Sequence, residues 1–115
     1  MLEINSRVVD EILIVRLMGE LDHHGVEQIR NDIESKLEEI DYRALILCFA
    51  DIQFMDSSGL GLILGRYRSV SSRGGKMALC EVTSPLQKLF DMSGLLKILP
   101  VYETELAAVK AVKGA

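Results

Sequence analysis

With 115 residues, 49% hydrophobic and 26% charged, the chain has the size and make-up expected of one soluble globular domain spanning residues 1–115. A formal net charge of -4 argues against a nucleic-acid partner, because such binding draws on clustered Lys and Arg to neutralise phosphates. No apolar run approaches the roughly 20 residues of a membrane span, and the start Met1-Leu2-Glu3-Ile4-Asn5 has no basic region followed by an apolar stretch, so no membrane is expected and the expected location is cytoplasmic.

Arg7-Val8-Val9 and Ile12-Leu13-Ile14-Val15-Arg16-Leu17-Met18 are rich in β-branched residues and are parted by Asp10-Glu11, which predicts two strands joined by a tight turn. Gly19 is expected to break the second run. In the polar connection Glu20-Leu21-Asp22-His23-His24-Gly25, Asp22 is a candidate helix cap. Val26, Ile29, Ile33, Leu37 and Ile40 then recur at helical spacing, predicting an amphipathic helix over residues 26–40.

Ala44-Leu45-Ile46-Leu47-Cys48-Phe49 is apolar without alternation, as in a parallel strand covered on both faces. A second helix carries Leu60, Ile63, Leu64, Tyr67 and Val70 on one side and ends before Arg73-Gly74-Gly75. Lys76 to Val82 reads as the next strand. Ser84-Pro85 reads as cap and first helical position, with Leu86, Leu89 and Phe90 as the apolar face and Gly94 as the stop. Ile98 to Tyr102 contains Pro100 and is expected as a short edge strand; Glu103 to Val112 closes as a helix with Leu106, Val109 and Val112 inward. The order β-β-α-β-α-β-α-β-α implies an α/β fold with a mixed four- to five-stranded sheet, parallel in the middle, and about four helices.

Function is expected where strands end and helices begin, since backbone donors converge there. Asp22 and Phe54-Met55-Asp56-Ser57-Ser58-Gly59-Leu60-Gly61 both occupy such junctions and are expected to share one end of the sheet. Ser57 can be an N-cap and nothing more. Yet two adjacent serines exceed what a cap requires, and Gly59 and Gly61 are poor helix formers that leave backbone uncovered for a close approach. Leu62, flanked by Gly61 and Gly65, is either an outward docking residue or covered by neighbouring elements.

Enzymatic readings fit poorly. A nucleophile elbow needs glycines two residues either side of the serine, but Met55 holds one of those places, and His23 and His24 precede the serine. The G-x-G-x-x-x-G spacing from Gly59 to Gly65 has no phosphate-binding lysine and is not a dinucleotide fingerprint. Glu20, Asp22, His23 and His24 are contiguous in a loop and read as solvated polars, and Cys48 and Cys80 as small core hydrophobes, so no metal or other cofactor is expected.

The segments Gly19-Glu20-Leu21-Asp22-His23-His24, Phe54 to Gly61 with Ile63-Leu64-Gly65-Arg66-Tyr67, and Leu89-Phe90-Asp91-Met92-Ser93-Gly94-Leu95 strongly resemble the STAS-domain anti-sigma factor antagonists, in particular those of sporulation in Bacillus-type bacteria. The resemblance implies a STAS-type domain and a non-enzymatic switch whose partner is an anti-sigma factor that is also a serine kinase. The unphosphorylated antagonist binds that kinase and frees a sigma factor. Phosphorylation of the serine after the motif aspartate, here Ser57, blocks binding, and a PP2C-type phosphatase resets the cycle. Asp22, Asp56, Ser58, Gly59, Leu60, Gly61 and Leu89 are the candidate partner contacts, Leu60 and Leu89 because each is near an exposed helix end. The rival reading keeps the serine switch but directs it at a different, stress-response partner.

Overall fold

In the computed structural model, which describes residues 2–114, strands β1 (Leu2–Val9) and β2 (Ile12–Leu21) form the expected hairpin. Met1 and Ala115, the ends of the expected 1–115 domain, lie outside the described residues. The two-residue turn needs positive φ at both positions to match strand twist. Asp10 and Glu11 supply it, at 50° and 65°, without a glycine. Lys113 holds the turn from outside, bonding Asp10 Oδ2 at 2.6 Å.

Helix α1 (Val26–Glu39), strand β3 (Ala44–Met55), helix α2 (Ser57–Ser72), strand β4 (Lys76–Cys80), helix α3 (Ser84–Ser93), strand β5 (Val101–Tyr102) and helix α4 (Glu105–Gly114) follow. The five strands lie in chain order, β1 antiparallel to β2 and the remaining pairs parallel. Because side chains alternate across a strand, each central strand feeds two cores. Leu13, Val15, Leu45, Leu47, Phe49, Met77 and Leu79 pack with the buried residues of α1, α2 and α3. Ile12, Ile14, Ala44, Ile46, Cys48, Ala78 and Cys80 pack with Ala108 and Val112 of α4. Residues 44–49 are buried throughout, as expected for a strand covered on both sides.

Four local expectations are corrected. Gly19 does not end β2: the strand continues to Leu21, and Gly19, at φ 109°, sits where the register with β3 shifts, as a bulge position that glycine tolerates. The cap of α3 is Thr83 rather than Ser84, which places Pro85 one position further in. The edge strand expected over residues 98–102 shrinks to Val101–Tyr102, with a 3-10 turn, Leu95–Lys97, after the left-handed stop at Gly94 (φ 83°) leading the chain to the sheet edge. Leu106 is 63% exposed, because α4 meets the sheet through Ala108 and Val112 and turns that side of its first turn to solvent.

Candidate functional site

Parallel register decides where the motif stands. Leu21 at the end of β2 pairs with Met55 at the end of β3, so Asp22 and Asp56 leave the sheet side by side, as expected. Strand β4 stops at Cys80, opposite Cys48, so the last residues of β3 run on beyond β4 with β2 as their sheet neighbour. The motif therefore crowns a two-strand projection. The loop after β2 is clasped to it: Asp56 donates its backbone N–H to the Leu21 carbonyl at 3.3 Å, and His23 Nδ1 lies 3.9 Å from Asp56 Oδ2.

The start of α2 separates the two serines. Asp56, in extended conformation, is the N-cap, and its Oδ1 accepts the backbone N–H of Ser58 at 2.9 Å. Partial burial pushes the Asp56 carboxyl up, but the backbone and hydroxyl donors of Ser58 together with His23 outweigh it and hold the group below its ordinary value. Ser58 is half-buried and engaged in this cap. Ser57 is the first residue of the helix and is exposed, and no hydrogen bond among the described residues engages its hydroxyl. It is not the N-cap that its position in the sequence allowed, because Asp56 takes that place.

The two glycines also differ. Gly59 is buried, and a methyl group there would collide with the Met55 side chain and lie 3.0 Å from Leu21 Cδ2. Its small size lets α2 sit close on β2 and β3; it is not bared to a partner as expected. Gly61 is exposed with open space around it. Beside it, Leu60 and Leu64 are half-buried against the larger core. Leu62, open to either reading in the sequence, is 2% exposed, because α2 is flanked by α1 as well as seated on the sheet.

Asp22 does not cap α1, whose N-cap is Gly25 and has no side-chain bond. Its carboxylate instead accepts the His24 backbone N–H at 3.0 Å, and its carbonyl accepts from Gly25 and Val26, shaping the loop that faces Asp56. Leu89 is half-buried on α3 and shares the larger core with Leu60 without belonging to the motif.

Three features escaped sequence reasoning. Phe54, named in the sequence only as the start of the motif stretch, lies one residue before the strand end and is 52% exposed, which is visible only once β3 is known to continue past Phe49. His23 contacts Asp56 across a chain separation no local pattern reveals. Arg66 is 7% exposed, with its Nε 2.7 Å from Glu34 Oε2 on α1; the approach is poorly aligned for a hydrogen bond and acts as a charge contact. Burial lowers the Arg66 pKa from its ordinary value while Glu34 opposes the shift. Ser69 Oγ also donates to Glu34, so the pair bolts α2 to α1.

A cleft of about 630 Å³ on Val82, Ser84, Gln87, Lys88, Asp91 and Leu96 contains none of the motif residues. Among the described residues no group of His, Cys, Asp and Glu is arranged to hold a metal ion, and no helix is long and apolar enough to cross a membrane.

Residues 3–108 match the STAS domain family. The chain belongs to it. A STAS-family relative, the anti-sigma F factor antagonist of Paenibacillus polymyxa, is 47% identical over 85% of this chain and 84% of its own length. The solved structure of the anti-sigma factor antagonist SpoIIAA in its unphosphorylated form superposes with a TM-score of 0.85 at 36% identity, covering 98% of both chains. That of the Bacillus cell fate determinant SpoIIAA in its phosphorylated form gives 0.74 at 37% identity, covering 97% of this chain and 99% of the other. The five-stranded mixed sheet with four helices is thus a STAS fold of the anti-sigma factor antagonist group, whose members are regulatory binding proteins rather than enzymes.

Proposed function

We propose that this STAS protein, a single domain over residues 1–115 acting in the cytoplasm, is a phosphorylation-controlled antagonist of an anti-sigma factor, with Ser57 as the phosphoacceptor. The observation that carries the reading is the division of labour at the start of α2: Asp56 and Ser58 complete the cap, while the Ser57 hydroxyl is exposed and spare. A phosphate there needs no existing bond to break. It adds roughly -1.5 to -2 charge at a helix N-terminus, where unpaired N–H groups and the helix dipole favour an anion.

The fold is therefore expected to survive modification, and the effect to fall on the partner. The unmodified first turns of α2 present bare Gly61 and half-buried Leu60 beside Ser57, a sterically open face next to Asp22 and Asp56. Phosphate would place a hydrated charge in that face and enlarge its negative patch, so a partner that fits the unmodified surface is rejected by repulsion and desolvation. The partner so controlled is an anti-sigma factor with serine kinase activity. It phosphorylates Ser57, and a PP2C-type phosphatase restores the binding state. Incubating the protein with the cognate kinase and ATP, followed by phosphosite mapping, tests this: modification at Ser57 is expected, and modification confined to another residue would overturn the assignment.

A further inference from the structure

Cys48 on β3 and Cys80 on β4 are direct register partners, face the same side of the sheet beneath α4, and are both fully buried free thiols. Adjacent strands lie about 4.8 Å apart, inside the roughly 4.4–6.8 Å Cα separation that a disulfide requires.

The surroundings of Cys48 are not those of an inert core thiol. Its Sγ–H donates to Glu81 Oε1 at 2.9 Å. The Arg16 guanidinium lies 3.7 Å from that same oxygen, 3.1 Å from Asp51 Oδ2 and 3.9 Å from Glu105 Oε2. Arg16 is 35% exposed and Glu81 28%, so this polar cluster joins the thiol to the surface. The Cys80 thiol hydrogen-bonded to Cys48 lowers the Cys48 pKa; burial and Glu81 oppose this, and the Ala50 amide and Arg16 reinforce it. The same contact with Cys48, together with burial, raises Cys80. Cys48 is the sulfur with a carboxylate proton acceptor in hydrogen-bond reach, Glu81, and a guanidinium behind it, Arg16, which places it as the attacking cysteine and Cys80 as the resolving one.

We propose that Cys48 and Cys80 form a reversible dithiol–disulfide site for small peroxides, and that its oxidation ties β3 to β4 around the segment bearing Ser57. Cys48 passes its proton to Glu81 and attacks one oxygen of hydrogen peroxide. The O–O bond breaks, the departing hydroxide takes up that proton as water, and Cys48 becomes a sulfenic acid. The Cys80 sulfur then attacks the Cys48 sulfur, the S–O bond breaks, and the hydroxide leaves as water with the Cys80 proton. Two thiols lose two electrons and two protons, and one peroxide is reduced to two waters. The bond would close the β3–α2–β4 unit covalently and restrict its local opening.

The test treats the full chain with hydrogen peroxide and maps its peptides without reduction. A linked Cys48–Cys80 peptide is expected, with an intact mass lower by about 2 Da, reversal by dithiothreitol and unchanged far-UV circular dichroism. Absence of the link in folded protein, links only between chains, or formation only after denaturation would overturn the proposal. In the Cys80→Ala variant a 1,3-dione should trap sulfenic acid at Cys48, while in Cys48→Ala trapping at Cys80 should be about tenfold slower. Equal trapping would overturn the order of attack, and mapping of the unsubstituted chain decides the disulfide whether or not either variant folds.

Discussion

Asp56 accepts the backbone N–H of Ser58 at 2.9 Å across the intervening Ser57, and this single bond both starts α2 and leaves the middle residue's hydroxyl outside the cap. A side chain that contributes to neither cap nor core can be modified or replaced at little cost to the fold. In the proposed function that freedom is what permits a switch at Ser57 without unfolding.

Ser57→Ala is expected to change folding stability by less than about 0.5 kcal/mol, as for surface positions without a structural role. It should bind the anti-sigma kinase constitutively. Ser57→Asp should remain folded but bind at least about tenfold more weakly, a change that needs only about 1.4 kcal/mol of repulsion and desolvation. Urea unfolding and isothermal titration of both variants check this pair. Equal affinities would move the switch to another residue.

The glycines should respond in opposite senses. Gly59→Ala pushes a methyl group into Met55 and is expected to cost about 1–3 kcal/mol, the range for overpacking. Gly61→Ala meets open space and should stabilise α2 by up to about 1 kcal/mol through helix propensity. If Gly61 contacts the partner, that gain in stability will come with weaker binding. Denaturation midpoints and titration on the same samples separate the two effects.

Glu34→Ala leaves the Arg66 guanidinium buried without its counter-charge, and is expected to cost about 2 kcal/mol, below the 3–5 kcal/mol of a fully buried pair because Glu34 is partly exposed. Replacing both with apolar residues, as in Glu34→Leu with Arg66→Met, should recover most of that loss. A double-mutant cycle in urea gives the coupling directly.

Asp56 also predicts a pH dependence. Its carboxyl is held below its ordinary value in the folded chain, so the unfolded state binds the proton more readily. The stabilisation is therefore present above the unfolded carboxyl value and is lost as pH falls through the folded one. Asp56→Asn should flatten this part of the acid limb while retaining an N-cap acceptor. Stability curves for the two proteins that run parallel through the acid range would refute the assignment.

Periodicity and composition determined much of this protein. The alternation of β-branched runs with Val26-Ile29-Ile33-Leu37 spacing, the uninterrupted run from Ala44 to Phe49 and the stop at Gly94 suffice for an α/β fold, since these signals are local and follow from backbone geometry. Placement of Asp22 and Asp56 at strand-to-helix junctions was likewise legible. Tertiary structure decided what each motif residue does. Only the Leu21–Met55 register brings the two aspartates together, and only the close seat of α2 on Met55 makes Gly59 a packing residue while Gly61 remains bare. The side-by-side placement of Cys48 and Cys80, and the contacts of Arg66 with Glu34 and His23 with Asp56, join segments distant in the chain. No local pattern encodes such pairings, because they depend on which faces the assembled sheet and helices turn toward one another.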